Sequence, residues 1–355
     1  MQERLDSIRS LFPDHGADAA LITFLPNIRW TCGFTGSNGL LIVLRDTAHF
    51  VTDGRYAEQV SREVAGATVH IAPRGLVDFA SGAALLAGAT RVIVQSDHLT
   101  LDLFDQLQEG LKGLEWVPVA GLLQNIVAVK TSDEVGAIRR AQAVTDAVFE
   151  DILAFIAPRM TEHELAAEIV YQHLRRGASA MSFEPIVASG PNGALPHARP
   201  TSRALEVGDL VVLDMGCFVD GYASDMTRTV AIGTPEDEAV RVYDIVLDAH
   251  LRALEAAHAG MTGKMLDAIA REVISEGGYG PHFAHSLGHG VGLQIHEWPS
   301  VSFRTEDVLP EGAVITIEPG IYLAGRFGVR IEDMALLGPT SAESLANSPK
   351  QLIRL

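Results

Sequence analysis

The chain has 355 residues, enough for about two domains at roughly 150 residues each, and each would be large enough to bury its own core. Hydrophobic residues make up 47% and charged residues 20%, the balance of a folded globular protein and not of a disordered one. Lys+Arg total 27 against Asp+Glu 45, a formal net charge of -18, which argues against nucleic-acid or anionic-membrane binding because such affinity rests on clustered Lys and Arg.

In chain order, the first third alternates short β-rich runs with helical ones. Ala19–Thr23, Leu40–Leu44, His49–Thr52 and Arg91–Gln95 read as strands, being short, apolar and often β-branched. Arg55–Val64, Leu76–Ala87 and Leu101–Leu107 can each place apolar residues on one helical face. The implied domain is α/β. A boundary is expected near Leu122–Lys130, giving domains 1–125 and 126–355. Thr131-Ser132-Asp133-Glu134 is a capping box: the Thr oxygen can accept the Glu134 backbone N–H, and the Glu can reach back. The helix it opens should run to Pro158. Thr161-Glu162-His163-Glu164 repeats the signature for a helix ending near Gly177. Thr234-Pro235-Glu236-Asp237 should open a third helix with Pro at its first position, and Lys264–Glu276 a fourth. Leu210–Met215, Thr227–Ile232, Ala313–Glu318 and Gly328–Leu336 read as strands. Helix pair, strands, helix pair, strands suggests an α+β second domain.

No apolar stretch reaches the roughly 20 residues a membrane helix needs, and the charged opening has no secretory signal pattern. Two cysteines, Cys32 and Cys217, suit a reducing compartment, so a cytoplasmic location is expected. Several motifs fail. His258–Met265 has His and Met where a phosphate loop needs Gly and Ser/Thr. His296-Glu297 lacks a second His at position 300, which is Ser300, and no Gly-x-Ser-x-Gly elbow is present.

One constellation holds. Asp214 ends Leu210-Val211-Val212-Leu213-Asp214, and Asp225 begins the next extended run. A turn through Asp220-Gly221 would bring these strands antiparallel and the carboxylates together. Glu318 ends Val314-Ile315-Thr316-Ile317-Glu318. Glu332 sits in Val329-Arg330-Ile331-Glu332-Asp333, and His289 in Gly288-His289-Gly290, where glycines allow close backbone approach. Four carboxylates gathered in one partly buried site would repel one another and lose hydration. Two divalent ions would balance their formal charge of -4. Oxygen-rich donors with a single His suit Mn²⁺, Co²⁺ or Zn²⁺. Two such ions can lower the pKa of a shared water toward about 7, which makes a hydroxide for attack on a carbonyl.

The order Asp214, Asp225, His289, Glu318, Glu332 resembles the dinuclear-metal pita-bread peptidases: prolidase, aminopeptidase P and methionine aminopeptidase. The resembling strings are Val212–Gly216, Ser224–Thr229, His285–Leu293, Ile295–Glu297, Thr316–Gly320 and Val329–Asp333. Gly33–Ser37 and Thr52–Tyr56 resemble the N-terminal domain of the proline-specific members, which favours Xaa-Pro hydrolysis. The resemblance implies a C-terminal pita-bread (creatinase/aminopeptidase-like) catalytic domain preceded by a smaller α/β creatinase-like domain. It implies that Asp214, Asp225, His289, Glu318 and Glu332 bind two metal ions, Mn²⁺ ahead of Co²⁺ or Zn²⁺, with Asp225 and Glu332 bridging. It makes Glu318 the general base, places His197 near the scissile nitrogen, and sets His285 and His296 to hydrogen-bond substrate carbonyls. Arg330 would pair with a ligand carboxylate and orient it.

The expected activity is that of an Xaa-Pro dipeptidase using a hydroxide that bridges two divalent ions, acting on Xaa-Pro dipeptides or short peptides, as a homodimer. The alternatives are an aminopeptidase P acting on longer peptides and a metal-free pita-bread binding module. Some short prolidases carry Arg immediately after His-Glu-Trp-Pro; here that position is Ser300, so Arg45, Arg55, Arg199 or Arg304 would have to hold a substrate carboxylate.

Overall fold

A computed structural model describes all residues 1–355, in two compact units, Met1–Val127 and Ala128–Leu355. The first unit is built on a six-stranded mixed sheet in the order Thr68–Ala72, Ala48–Asp53, Leu40–Leu44, Ala19–Ile22, Arg91–Gln95, Glu115–Val119. Leu40–Leu44 pairs antiparallel with both its neighbours, and parallel pairs close both sides. Leu21, Ile42, Val51, Val92 and Val94 form its core with Val77 and Leu107 from two helices. A further strand, Glu115–Val119, contains Pro118 and lies at the sheet edge, where a missing N–H costs no ladder bond.

Two helices differ from expectation here. Residues 55–64 do not form one helix: Gly54–Tyr56 is a single 3-10 turn, because the Asp53 side chain accepts the Arg55 N–H, and α-helix resumes only at Val60–Glu63. The helix expected to reach Ala87 stops at Gly82, and Ala84 takes a positive φ of 52°.

The second unit twice lays a helix pair on a sheet. Ser132–Phe155 and Glu162–Arg175 cover the sheet Met226–Ala231, Leu210–Met215, Ile186–Ser189. Val148, Phe149, Ile152, Leu165 and Ile169 pack there against Val211, Leu213 and Met215. Both helices open with the full capping box: Glu134 Oε2 accepts the Thr131 N–H at 2.8 Å, and Glu164 Oε2 accepts the Thr161 N–H at 2.7 Å. Asp237–Ala256 and Gly263–Glu276 pack against a sheet that contains Val314–Ile317 and Asp333–Leu337, through Val242, Val246, Leu266 and Ile274. Pro235 is not the first helical residue. Glu236 keeps an extended ψ of 154° and is itself the N-cap, so the helix begins at Asp237.

The run 328–336 is two strands. Phe327–Arg330 pairs with Gly320–Leu323, and Asp333–Leu337 pairs with Val314–Ile317. Ile331 and Glu332 lie in the crossing between them, where Glu332 is freed from a regular ladder.

Candidate metal centre and active site

Asp214 pairs in register with Thr227, so Leu210–Met215 and Met226–Ala231 bring Asp214 and Asp225 to one end of an antiparallel pair. The connection is a small hairpin turning on Asp220 and Gly221, with φ 52° and 84°. Two successive positive φ values are what a two-residue I′ turn needs. His289 lies on a short strand, Gly288–Gly290, between Glu297–Val301 and Val314–Ile317. A Cβ added at Gly288 would stand 2.0 Å from Thr316 O, and one at Gly290 would stand 2.5 Å from Trp298 O, so only glycine lets this strand seat His289.

All five expected donors line one cavity of about 520 Å³, together with His197, His285, His296 and Arg330. Asp225, His289 and Glu332 form its tightest group, each with a donor atom within 4.8 Å of the others. Glu318 joins through His289: its Oε1 is 3.5 Å from Nε2, and Asp225 Oδ2 is 3.6 Å from the same nitrogen. Asp214 stands outside that group. Its Oδ2 accepts a 2.6 Å bond from Arg330 Nη2, while its Oδ1 is buried with no hydrogen-bond partner.

This arrangement is costly without a cation. Burial, reinforced by the neighbouring Glu332, Asp214 and Glu318 carboxylates, pushes the Asp225 carboxyl well above its usual range. Burial, with Glu318 and Asp214, does the same to Glu332. Burial also raises Glu318, to about 8. His289 is held neutral: burial, with His296 beside it, lowers its pKa to about 3. Its Nδ1 donates to Gly290 O at 3.1 Å, which leaves the Nε2 lone pair facing Asp225 and Glu318. An orphaned buried carboxylate oxygen, crowded carboxyls and an imidazole in the ligating tautomer fit divalent ions.

Arg330, 3% exposed, donates to Asp214, to Tyr322 OH at 2.9 Å, to Pro196 O at 3.0 Å and to Thr227 Oγ1 at 3.1 Å. Thr227 in turn donates to Glu332 Oε2 at 2.7 Å, so one guanidinium orients two carboxylates. Thr227 and Tyr322 were not singled out from the sequence. Their signal was position alone, one two residues after Asp225 and the other four after Glu318.

His285 departs from expectation. Its Nδ1 meets Ser286 O at 2.8 Å and its Nε2 meets Tyr322 OH at 2.9 Å. The Tyr322 hydroxyl accepts from Arg330 and so donates to His285, which uses both imidazole nitrogens. Burial lowers the His285 pKa to about 4, in keeping with that neutral form. It is therefore a buttress of Tyr322 and not a group with a nitrogen free for substrate. His197 and His296 are exposed on the cavity wall, and the His296 ring packs edge-on to His289 at 4.3 Å.

Of the four arginines considered for a substrate carboxylate, Arg199 lines the cavity. Arg304 lies over the Phe303 ring, and Arg45 and Arg55 belong to the first unit, where Arg55 is paired with Asp53.

The sequence model of metallopeptidase family M24 matches residues 136–339. The chain belongs to that family. The creatinase/prolidase N-terminal domain matches residues 4–126. An Xaa-Pro dipeptidase of Pyrococcus furiosus is 35% identical over 99% of this chain and 100% of its own length. Among solved structures, an Xaa-Pro dipeptidase from Bacillus anthracis superposes with a TM-score of 0.97 at 38% identity, covering 100% of this chain and 99% of its own. An X-Pro aminopeptidase from Thermotoga maritima does so with 0.91 at 36% identity, covering 99% and 100%. This M24 protein is thus a metal-dependent peptidase with a creatinase-type first domain and a pita-bread second domain. No helix in it is long and apolar enough to cross a membrane.

Proposed function

We propose that this M24 peptidase is an Xaa-Pro dipeptidase. The observation that carries the reading is the single cavity in which four carboxylates and one neutral imidazole converge, in a chain whose similarity to Xaa-Pro dipeptidases runs through both units. Asp214, Asp225, His289, Glu318 and Glu332 would hold two divalent ions, with Mn²⁺ favoured by the oxygen-rich donor set. When bound, such a pair supplies Lewis acidity for the scissile carbonyl and an acidified water at neutral pH.

The side chains do the rest. Glu318 takes the proton of the attacking water and passes it to the leaving prolyl nitrogen, a role suited to a carboxylate beside the nucleophile. His296 and His197, both exposed on the wall, donate to the substrate carbonyl and stand by the scissile nitrogen. Arg330 and Thr227 fix Asp214 and Glu332, while His285 and Tyr322 fix Arg330. An Xaa-Pro bond offers no N–H, so a site that reads ring shape suits it better than one that pairs with backbone.

Residues 126–355 form the catalytic domain on this reading, and residues 1–125 select substrate size or support a homodimer. A cytoplasmic location fits two buried free thiols. The second reading, an aminopeptidase acting on longer peptides, is favoured by Ser300 at the cavity wall and by the likeness to the Thermotoga enzyme. Turnover of an Xaa-Pro dipeptide beside the same peptide extended by one C-terminal residue decides between them. The dipeptide should be cleaved with the higher kcat/KM; preference for the longer peptide would replace this reading with the second.

A further inference from the structure

We infer that Arg199 is the residue that selects substrates ending at proline, by binding the free carboxylate of an Xaa-Pro dipeptide. The inference rests on the dipeptidase reading and names the group that makes it selective. With Asp214, Asp225, Glu318 and Glu332 balanced by two divalent ions, a substrate that carries its own carboxylate still needs a charged donor at the wall to replace the water that carboxylate gives up. Two Lys or Arg side chains line that wall, Arg330 and Arg199.

Arg330 is not available. Its side chain is 4% exposed, and its Nε and both terminal nitrogens already donate to Thr227, Pro196, Tyr322 and Asp214. Arg199 is the opposite. Its side chain is 85% exposed, it makes no hydrogen bond, and its nearest carboxylate, Glu184, is 3.9 Å away and 70% exposed. So loose and hydrated a pair contributes little and leaves the guanidinium fork unspent.

The backbone beneath it is fixed. Pro196 O accepts from Arg330 Nη1 at 3.0 Å on one side. Thr201 on the other side donates its N–H and its hydroxyl to the buried Glu162 carboxylate, at 2.9 and 2.6 Å. Ala198 is buried, and Pro200 holds the Arg199 backbone extended. An exposed head with no hydrogen bond, on a pinned base, can pair with a carboxylate in the cavity without reorganising the chain. An internal peptide bond at the same place offers a neutral carbonyl and no charge to pair.

The test compares wild-type and Arg199→Ala protein, loaded with metal, on Ala-Pro and on its C-terminal amide. A charge-assisted bidentate contact predicts a fall of about 10- to 100-fold in the kcat/KM preference for the free acid, expressed in KM. Arg199→Lys should keep part of that preference, since it restores charge but not the fork. Calorimetry with a dipeptide whose scissile carbonyl is reduced to methylene should show the same loss of affinity, and no comparable loss for its amide. A preference unchanged within twofold in Arg199→Ala, with wild type still turning over Ala-Pro, would overturn the inference and leave the dipeptidase reading standing. Wild type favouring the amide or an extended peptide would overturn both.

Discussion

Glu332 and Asp333 are adjacent in sequence and both buried, yet they belong to opposite electrostatic environments. Glu332 faces the cavity, where burial and the Glu318 and Asp214 carboxylates drive its carboxyl well above the usual range. Asp333 points the other way. Burial would raise it too, but the His250 hydrogen bond and the charges of Arg228 and Lys350 outweigh that and hold it well below the usual range. Its Oδ1 accepts from Arg228 at 2.8 Å, and its Oδ2 faces Lys350 at 2.8 Å, Ser344 at 3.0 Å and His250 at 3.2 Å. One cluster is complete within the protein and the other is complete only with cations. The complete one also steadies the other. Arg228 donates to Glu332 O at 2.6 Å and His250 meets Ile317 O at 3.0 Å, so the backbone beside Glu332 and Glu318 is tied to the Asp333 cluster.

The largest expected effect breaks the cavity cluster. Glu318→Gln should lower kcat by about 10²- to 10⁴-fold, the range for loss of a general base, with a near-native circular dichroism spectrum. A rate within threefold of wild type would remove Glu318 from that role. Thorough chelation should abolish activity, and metal analysis of the restored enzyme should find about two ions per chain. Full activity in the chelated protein would defeat the metal assignment.

The contrast between the neighbours predicts opposite stabilities in metal-free protein. Asp333→Asn should cost about 3–5 kcal/mol in denaturant unfolding, because it strands Arg228 and Lys350 without their buried partner. Glu332→Gln should be neutral or stabilising, since it removes one of four crowded carboxylates and can still accept from Thr227. Equal losses for the two variants would show that the clusters are not electrostatically distinct.

Much of this was legible in the sequence. The capping boxes at Thr131 and Thr161, the Asp220-Gly221 turn and the strand-end carboxylates are local signals, and local chemistry fixes them. The break after Asp53 was not, because it depends on which backbone N–H the Asp53 side chain accepts. The split of 328–336 into two strands was hidden for a different reason. Both halves are apolar and β-prone, and the crossover at Glu332 is dictated by partners far away in sequence, Gly320–Leu323 and Val314–Ile317. The roles of Tyr322 and His285 were equally out of reach. Which hydrogen bond an imidazole spends its nitrogens on is set by tertiary contact, and motif spacing carries no trace of it. The Asp333 cluster was invisible because Arg228, His250 and Lys350 are remote from it in the chain.

A buried histidine away from both clusters gives the smallest effect and a control for them. His173, on Glu162–Arg175, faces Ser132–Phe155 and is fully buried, with Nδ1 donating to Ile169 O at 2.8 Å and Nε2 near Thr145 Oγ1 at 3.3 Å. No carboxylate is among its hydrogen-bond partners, and burial lowers its pKa from 6.5 to about 4. The unfolded chain therefore binds a proton near pH 6.5 that the folded chain refuses until near pH 4. Stability from His173 is complete above pH 6.5 and is lost as pH falls through that window. Relative to His173→Gln, which cannot titrate, wild type should lose about 2–3 kcal/mol between pH 7.5 and pH 4.5. The carboxylates of both clusters change over the same range in both proteins, so the difference isolates the imidazole. If the two unfolding free energies kept a constant gap across that range, burial would not be what holds His173 neutral.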